Sequence, residues 1–192
     1  MNDAPGGTEH IDESAPRPDS SGRRALLTAG LSLASAGRAN AAENEFTGAE
    51  LDILRFAQQL EMSARDLYDA AIAAGATGAV WEAMSEQHEA YAQSIAGLTG
   101  MSADSRNDEV YDALAPAFGS SAAAEAAYDL ESAAAATHIE VLGLLSHRPA
   151  AELIASIISA ESRHCVVLAD LTGRGTDLTA LLVNNAQPIL PA

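Results

Sequence analysis

The sequence predicts an all-α fold: an antiparallel four-helix bundle with a long connection between its second and third helices. Three observations carry this. Alanine is abundant, β-branched residues are few and aromatics make up only 4% of the 192 residues, a balance that favours helix over strand. Four stretches of roughly 20–28 residues, ~30–40 Å at the helical rise, keep apolar side chains at alternating three- and four-residue spacing, as in a helix that buries one face. No stretch of useful length alternates with the period of two that a half-buried strand requires.

The chain begins with a polar segment, residues 1–22, rich in Pro, Gly, Ser and acids, a composition that does not support a packed core. Arg23 and Arg24 then precede a mildly apolar run from Ala25 to Gly37, too short for a bilayer span of ~20 residues. The run ends at Arg38 and the small-x-small site Ala39-Asn40-Ala41. This layout resembles a twin-arginine export signal, with residues 1–41 as the removed leader. The resemblance implies export of an already folded chain to the periplasm, cell wall or exterior, often with a cofactor loaded beforehand. No stable membrane span is expected after cleavage.

The helices follow. Thr47-Gly48-Ala49-Glu50 is a capping-box pattern, so the first helix should start there and run to about Ala74, with Gly75 closing it. Its inward stripe includes Leu54, Ala57, Glu61, Ala64 and Tyr68. The second helix should span about 78–98, ending near Gly100, on the stripe Trp81, Met84, His88, Tyr91, Ile95 and Leu98. Residues 101–119 read as a connection, with room for a short helix from about Asp108 to Leu114. A connection this long is uncommon unless it crosses the fold or carries function. The third helix should run from about Ser121 to Leu145 on Ala124, Ala127, Glu131, Ala134, His138, Val141 and Leu145. Pro149 suits the first turn of the fourth, which ends near Gly173 on the stripe Ile154, Ile157, Glu161, His164, Leu168 and Leu171. Residues 42–173 are thus the bundle. Residues 174–192 form a C-terminal tail that either packs along it or stays loose.

Charge narrows the function. A net charge of −17 with no lysine argues against nucleic acid as a partner, since phosphate binding needs a basic face. The single cysteine, Cys165, permits no intrachain disulfide. It reads as a small core residue. No Gly-x-Ser-x-Gly elbow or phosphate loop points to a nucleophilic hydrolase or transferase. His147, at a helix end, and His10, in the leader, are expected to face solvent.

What remains is the polar interruption of every stripe. Glu61, His88, Glu131, Glu161 and His164 come from four helices, each near mid-helix and therefore at mid-height in a bundle. Three carboxylates facing one another in a dry core would repel and stay protonated unless a cation joined them. One or two metal ions would satisfy all of them, and oxygen with imidazole suits iron, manganese or zinc. His138, two turns from Glu131, is a further candidate.

These residues resemble the ferritin-like di-metal carboxylate family, and most closely its exported bacterial members. The resemblance covers about residues 47–173. Its motif is one Glu from each of two helices and Glu-x-x-His from each of the other two. Glu61 in LRFAQQLEMSARDLY and Glu131 in AAYDLESA look like the single glutamates. Glu161 and His164 in AESRH match the fourth-helix motif, and His88 in SEQHEAY its second-helix histidine. Position 85, where the family's second-helix glutamate would stand, is serine. Glu86 points ~100° away, and Glu82 sits on a neighbouring face. Two metals, one metal, or a metal-free remnant hydrogen-bonded to His88, Ser85, Tyr68 or Tyr128 are the states left open. Two functions follow: a metal-binding protein that oxidises or sequesters iron, or a non-catalytic structural or stress-protective bundle whose apolar tail docks a partner. Homo-oligomerisation is compatible with either.

Overall fold

The computed structural model describes residues 45–191, so the expected leader lies outside the described residues. Six helices are present among the described residues: α1 (Gly48–Ala73), α2 (Ala79–Thr99), α3 (Asp108–Phe118), α4 (Ala123–Leu144), α5 (Arg148–Leu171) and the short α6 (Leu178–Leu182). There is no strand among the described residues.

The local signals act as their chemistry requires. At the start of α1, the Thr47 side chain accepts from the Glu50 amide and the Glu50 carboxylate accepts from the Thr47 amide, the reciprocal cap of a capping box. Gly100 ends α2 at φ 75°, a left-handed conformation that glycine adopts without a Cβ clash. Pro149 occupies the first turn of α5.

Helices α1 and α2 form one hairpin and α4 and α5 the other. Two apolar clusters fix their directions. One contains Leu54, Ala57, Ile95, Val141, Ile154 and Ile157. The other contains Leu67, Tyr68, Trp81, Met84, Phe118, Ala127, Leu130 and Leu168. Chain order through these clusters shows α1 and α5 running one way and α2 and α4 the other. The end of α2 and the start of α4 therefore lie at opposite ends of the bundle, which is why the connection between them is long. It crosses as α3, tied to α1 where the Asn107 amide meets Gln59 O and Ser63 Oγ. Arg106 adds an ion pair with Asp66 at 3.0 Å.

Several expectations need correction. Helix α3 extends four residues beyond Leu114, and Pro116 lies inside it. The hydrogen bond the proline cannot donate would have gone to Asp112, which is exposed and can be hydrated. Leu171 does not belong to the buried stripe. It is the last residue of α5 and half exposed, because the bundle ends there. His147 does not face solvent: it is buried, caps α5 by accepting from the Ala150 amide, and stacks on Phe46 at 3.9 Å. Cys165 is half-buried, its Sγ 3.5 Å from Ser132 Oγ. The tail packs on α4: Asn184 Nδ2 donates to Ser132 O, and Thr137 Oγ1 accepts from the Ile189 amide.

Candidate metal centre

The two apolar clusters leave a gap at mid-height. Along α1 the gap holds Glu61, along α2 His88, along α4 Glu131 and His138, and along α5 Glu161 and His164. All six are buried. Dry apolar layers thus close a polar layer above and below, where charge interactions are weakly screened.

Within the layer, carboxylates and imidazoles alternate. His88 Nδ1 lies 2.6 Å from Glu61 Oε2 and His88 Nε2 lies 2.9 Å from Glu131 Oε1. The Tyr68 hydroxyl donates to the same Glu131 oxygen at 2.5 Å. His164 Nδ1 stands 3.1 Å from Glu131 Oε2. His138 Nδ1 meets Glu161 Oε1 at 2.8 Å. His138 Nε2 and Glu61 Oε1 are 3.3 Å apart, yet neither atom has a hydrogen-bond partner among the described residues. Glu161 Oε2 is likewise buried and unpartnered.

The surroundings set the protonation states. Burial works against a charge on His88, but Glu131 and Glu61 outweigh it and hold its pKa well above that of a free imidazole. Burial likewise opposes charge on His138. Glu161, and Glu61 behind it, raise its pKa to about 9. Glu131 is held below the usual carboxylate range because His88 and His164 overcome its burial. Glu161 goes the other way: burial raises its pKa, and His138 only partly offsets this. The difference follows from the donors. Glu131 faces Tyr68, His88 and His164, whereas Glu161 faces His138 alone. This corrects the expectation that all three carboxylates stay protonated without a metal, since imidazoliums also supply positive charge.

On the solvent side, Gln87 Oε1 lies 3.0 Å from His164 Nε2. An amide oxygen can only accept, so Nε2 carries the proton and Nδ1 is turned inward to Glu131. Tertiary contact was needed to see this, because Gln87 is an exposed residue one position from the stripe. Ser85 stays out of the layer: its hydroxyl donates to Asp69 at 2.6 Å. Glu82 and Glu86 are exposed, and Tyr128 donates to Ala180 O in the tail. Of the side chains expected to satisfy the carboxylates by hydrogen bonding, only His88 and Tyr68 do so.

The donor atoms fall into two groups, His88–Glu131–His164 and Glu61–His138–Glu161, each with its atoms within 4.8 Å of one another. Three ligands at ~2.0–2.2 Å from one ion stand about 3.3–3.8 Å apart, so side-chain shifts of up to roughly an ångström close either group. With the unpartnered atoms, this donor set fits a divalent cation.

No curated protein and no solved structure matches the chain significantly. The model of the ferritin-like domain family matches residues 49–174, which takes in α1 to α5 and every residue of the polar layer. The chain therefore belongs to the ferritin-like domain family.

Proposed function

We propose that the protein binds iron, or manganese or zinc in its place, through Glu61, His88, Glu131, Glu161 and His164, and that it oxidises or sequesters iron outside the cytoplasmic membrane. One observation carries the metal: Glu61 Oε1 and Glu161 Oε2 are buried carboxylate oxygens with no hydrogen-bond partner among the described residues. Such atoms are costly in a dry core, and a cation between them removes the cost. Membership of the ferritin-like family supports the reading. The Arg23-Arg24 leader and its Ala39-Asn40-Ala41 site support export.

Iron bound here would supply electron transfer to dioxygen or peroxide, with the carboxylates favouring the more highly charged ferric product. The chain's own groups have defined tasks. Gln87 orients the His164 ring so that Nδ1 faces the centre, the role an outer hydrogen bond plays for a histidine ligand. Tyr68 fixes Glu131 by donating to Oε1. The Leu54–Ile157 and Leu67–Leu168 clusters exclude water from both ends.

The test is the metal content of the purified protein by elemental mass spectrometry. One or two ions per chain are expected, and Glu161→Ala should lower the bound metal; unchanged content in that variant overturns the assignment of Glu161. No metal, and no uptake of added Fe(II), Mn(II) or Zn(II), overturns the reading. The competing reading, a non-catalytic stress-protective bundle, draws on one specific observation: His88 bridges Glu61 and Glu131 with both ring nitrogens, so much of the layer is satisfied by protons alone. That reading requires a melting temperature insensitive to chelator.

A further inference from the structure

We propose that His138 is a metal ligand alongside the five residues of the expected set, so that the core holds two unequal cation subsites although position 85 offers no carboxylate. Glu61, His138 and Glu161 form one; His88, Glu131 and His164 form the other. The inference rests on the metal-binding reading and deepens it, since it concerns which donors each ion uses.

Four buried side-chain atoms lack a hydrogen-bond partner among the described residues, and three of them are Glu61 Oε1, His138 Nε2 and Glu161 Oε2. They belong to one group, come from three helices, and sit on side chains no more than 1% exposed. The His138 ring stands between the two carboxylates, with Nδ1 at 2.8 Å from Glu161. Its Nε2 is 3.3 Å from Glu61 Oε1 without the alignment of a hydrogen bond. A cation that displaces the Nε2 proton finds that nitrogen and the Glu61 oxygen close enough to bond the same ion.

The sequence places His138 seven residues after Glu131, two turns on along the same face of α4. One helix thereby feeds both subsites: along α4, Glu131 follows Ala127 and Leu130 of the Leu67–Leu168 cluster, and His138 precedes Val141 of the Leu54–Ile157 cluster. Position 85 cannot contribute, because Ser85 is turned to Asp69. The exchange of a carboxylate for an imidazole divides the charge unevenly. Two carboxylates and one neutral imidazole form the harder, more negative subsite, suited to manganese or to ferric iron. Two imidazoles and one carboxylate are the donor set of non-haem Fe(II) and of zinc sites. The ligands are therefore two transition-metal cations of unequal affinity.

Co(II) alone is the probe. The full chain, stripped with chelator, is dialysed against Co(II), and bound metal is counted by elemental analysis, with circular dichroism to monitor the fold. Two ions per wild-type chain and one per His138→Ala chain are expected. Two ions retained by folded His138→Ala overturn the proposal, as does a wild type that binds only one. A wild type that binds none overturns the metal-binding reading itself. Because His138→Ala can fail to fold, the wild type loaded with Co(II) and labelled with 15N-histidine gives an independent count. Contact-shifted ring N–H resonances from three histidines support the assignment; signals from two overturn it.

Discussion

Replacing Tyr68 by Phe tests whether the polar layer is held as the geometry shows. Tyr68 is fully buried, and its hydroxyl donates to Glu131 Oε1 at 2.5 Å. The ring packs against Trp81, His88 and Phe118, and Phe preserves those contacts, so there is no large cavity term. What is lost is one hydrogen bond to a buried acceptor that His88 and His164 hold ionised. A hydrogen bond to a charged group contributes about 1.5–3 kcal/mol. At roughly 2–4 °C per kcal/mol for a domain of this size, the melting temperature should fall by about 3–12 °C. The assay is denaturant and thermal unfolding of chelator-treated protein, compared with Tyr91→Phe. That hydroxyl makes only a 3.3 Å contact with exposed Gln87, so the control should lose less than about 0.5 kcal/mol. If Tyr68→Phe loses no more than Tyr91→Phe, Glu131 is not held by the phenol, and the described network is wrong.

Other outcomes follow from the same contacts. The pKa of His138 is raised to about 9, so its contribution to stability is fully present below pH ~6.5 and is lost as pH rises through 9. Metal-free protein should weaken across that window by at most on the order of 3 kcal/mol, and His138→Gln should flatten the slope. Glu50 is displaced in the opposite direction. Thr47, then Ser146 and His147, hold its pKa below the usual carboxylate range, so its contribution is present above pH ~4.5 and lost as pH falls further. Glu50→Gln should destabilise the protein at pH 7 and reduce its acid sensitivity, as read from unfolding midpoints between pH 3 and 7. Free metal at about 100 times Kd should stabilise the folded state by about 2.7 kcal/mol, a rise of roughly 5–11 °C in melting temperature that chelator reverses.

The fold was legible because its signals are local and redundant. Thr47 and Glu50, Gly100 and Pro149 each mark a helix end by backbone chemistry alone, and the observed ends fall within two residues of those marks. Where a neighbour's solvation decides, the sequence was a weaker guide. Pro116 reads as a helix breaker, yet α3 continues through it because Asp112 remains open to water. His147 reads as a surface residue until Phe46 stacks on it and the loop before α5 closes over Glu50.

The candidate centre divides in the same way. By itself the sequence determined that Glu61, His88, Glu131, Glu161 and His164 lie on buried helix faces at one height, because a 3.6-residue period fixes which side chains share a face. It also determined that position 85 offers no carboxylate. Only the tertiary structure decided which imidazole meets which carboxylate: His88 between Glu61 and Glu131, His138 between Glu61 and Glu161, and His164 held to Glu131 by exposed Gln87. Those pairings depend on the rotation of each helix about its axis and its offset along the bundle. Both are set by the packing of Leu54, Ile154, Trp81 and Phe118, contacts between residues far apart in the chain that no local spacing encodes.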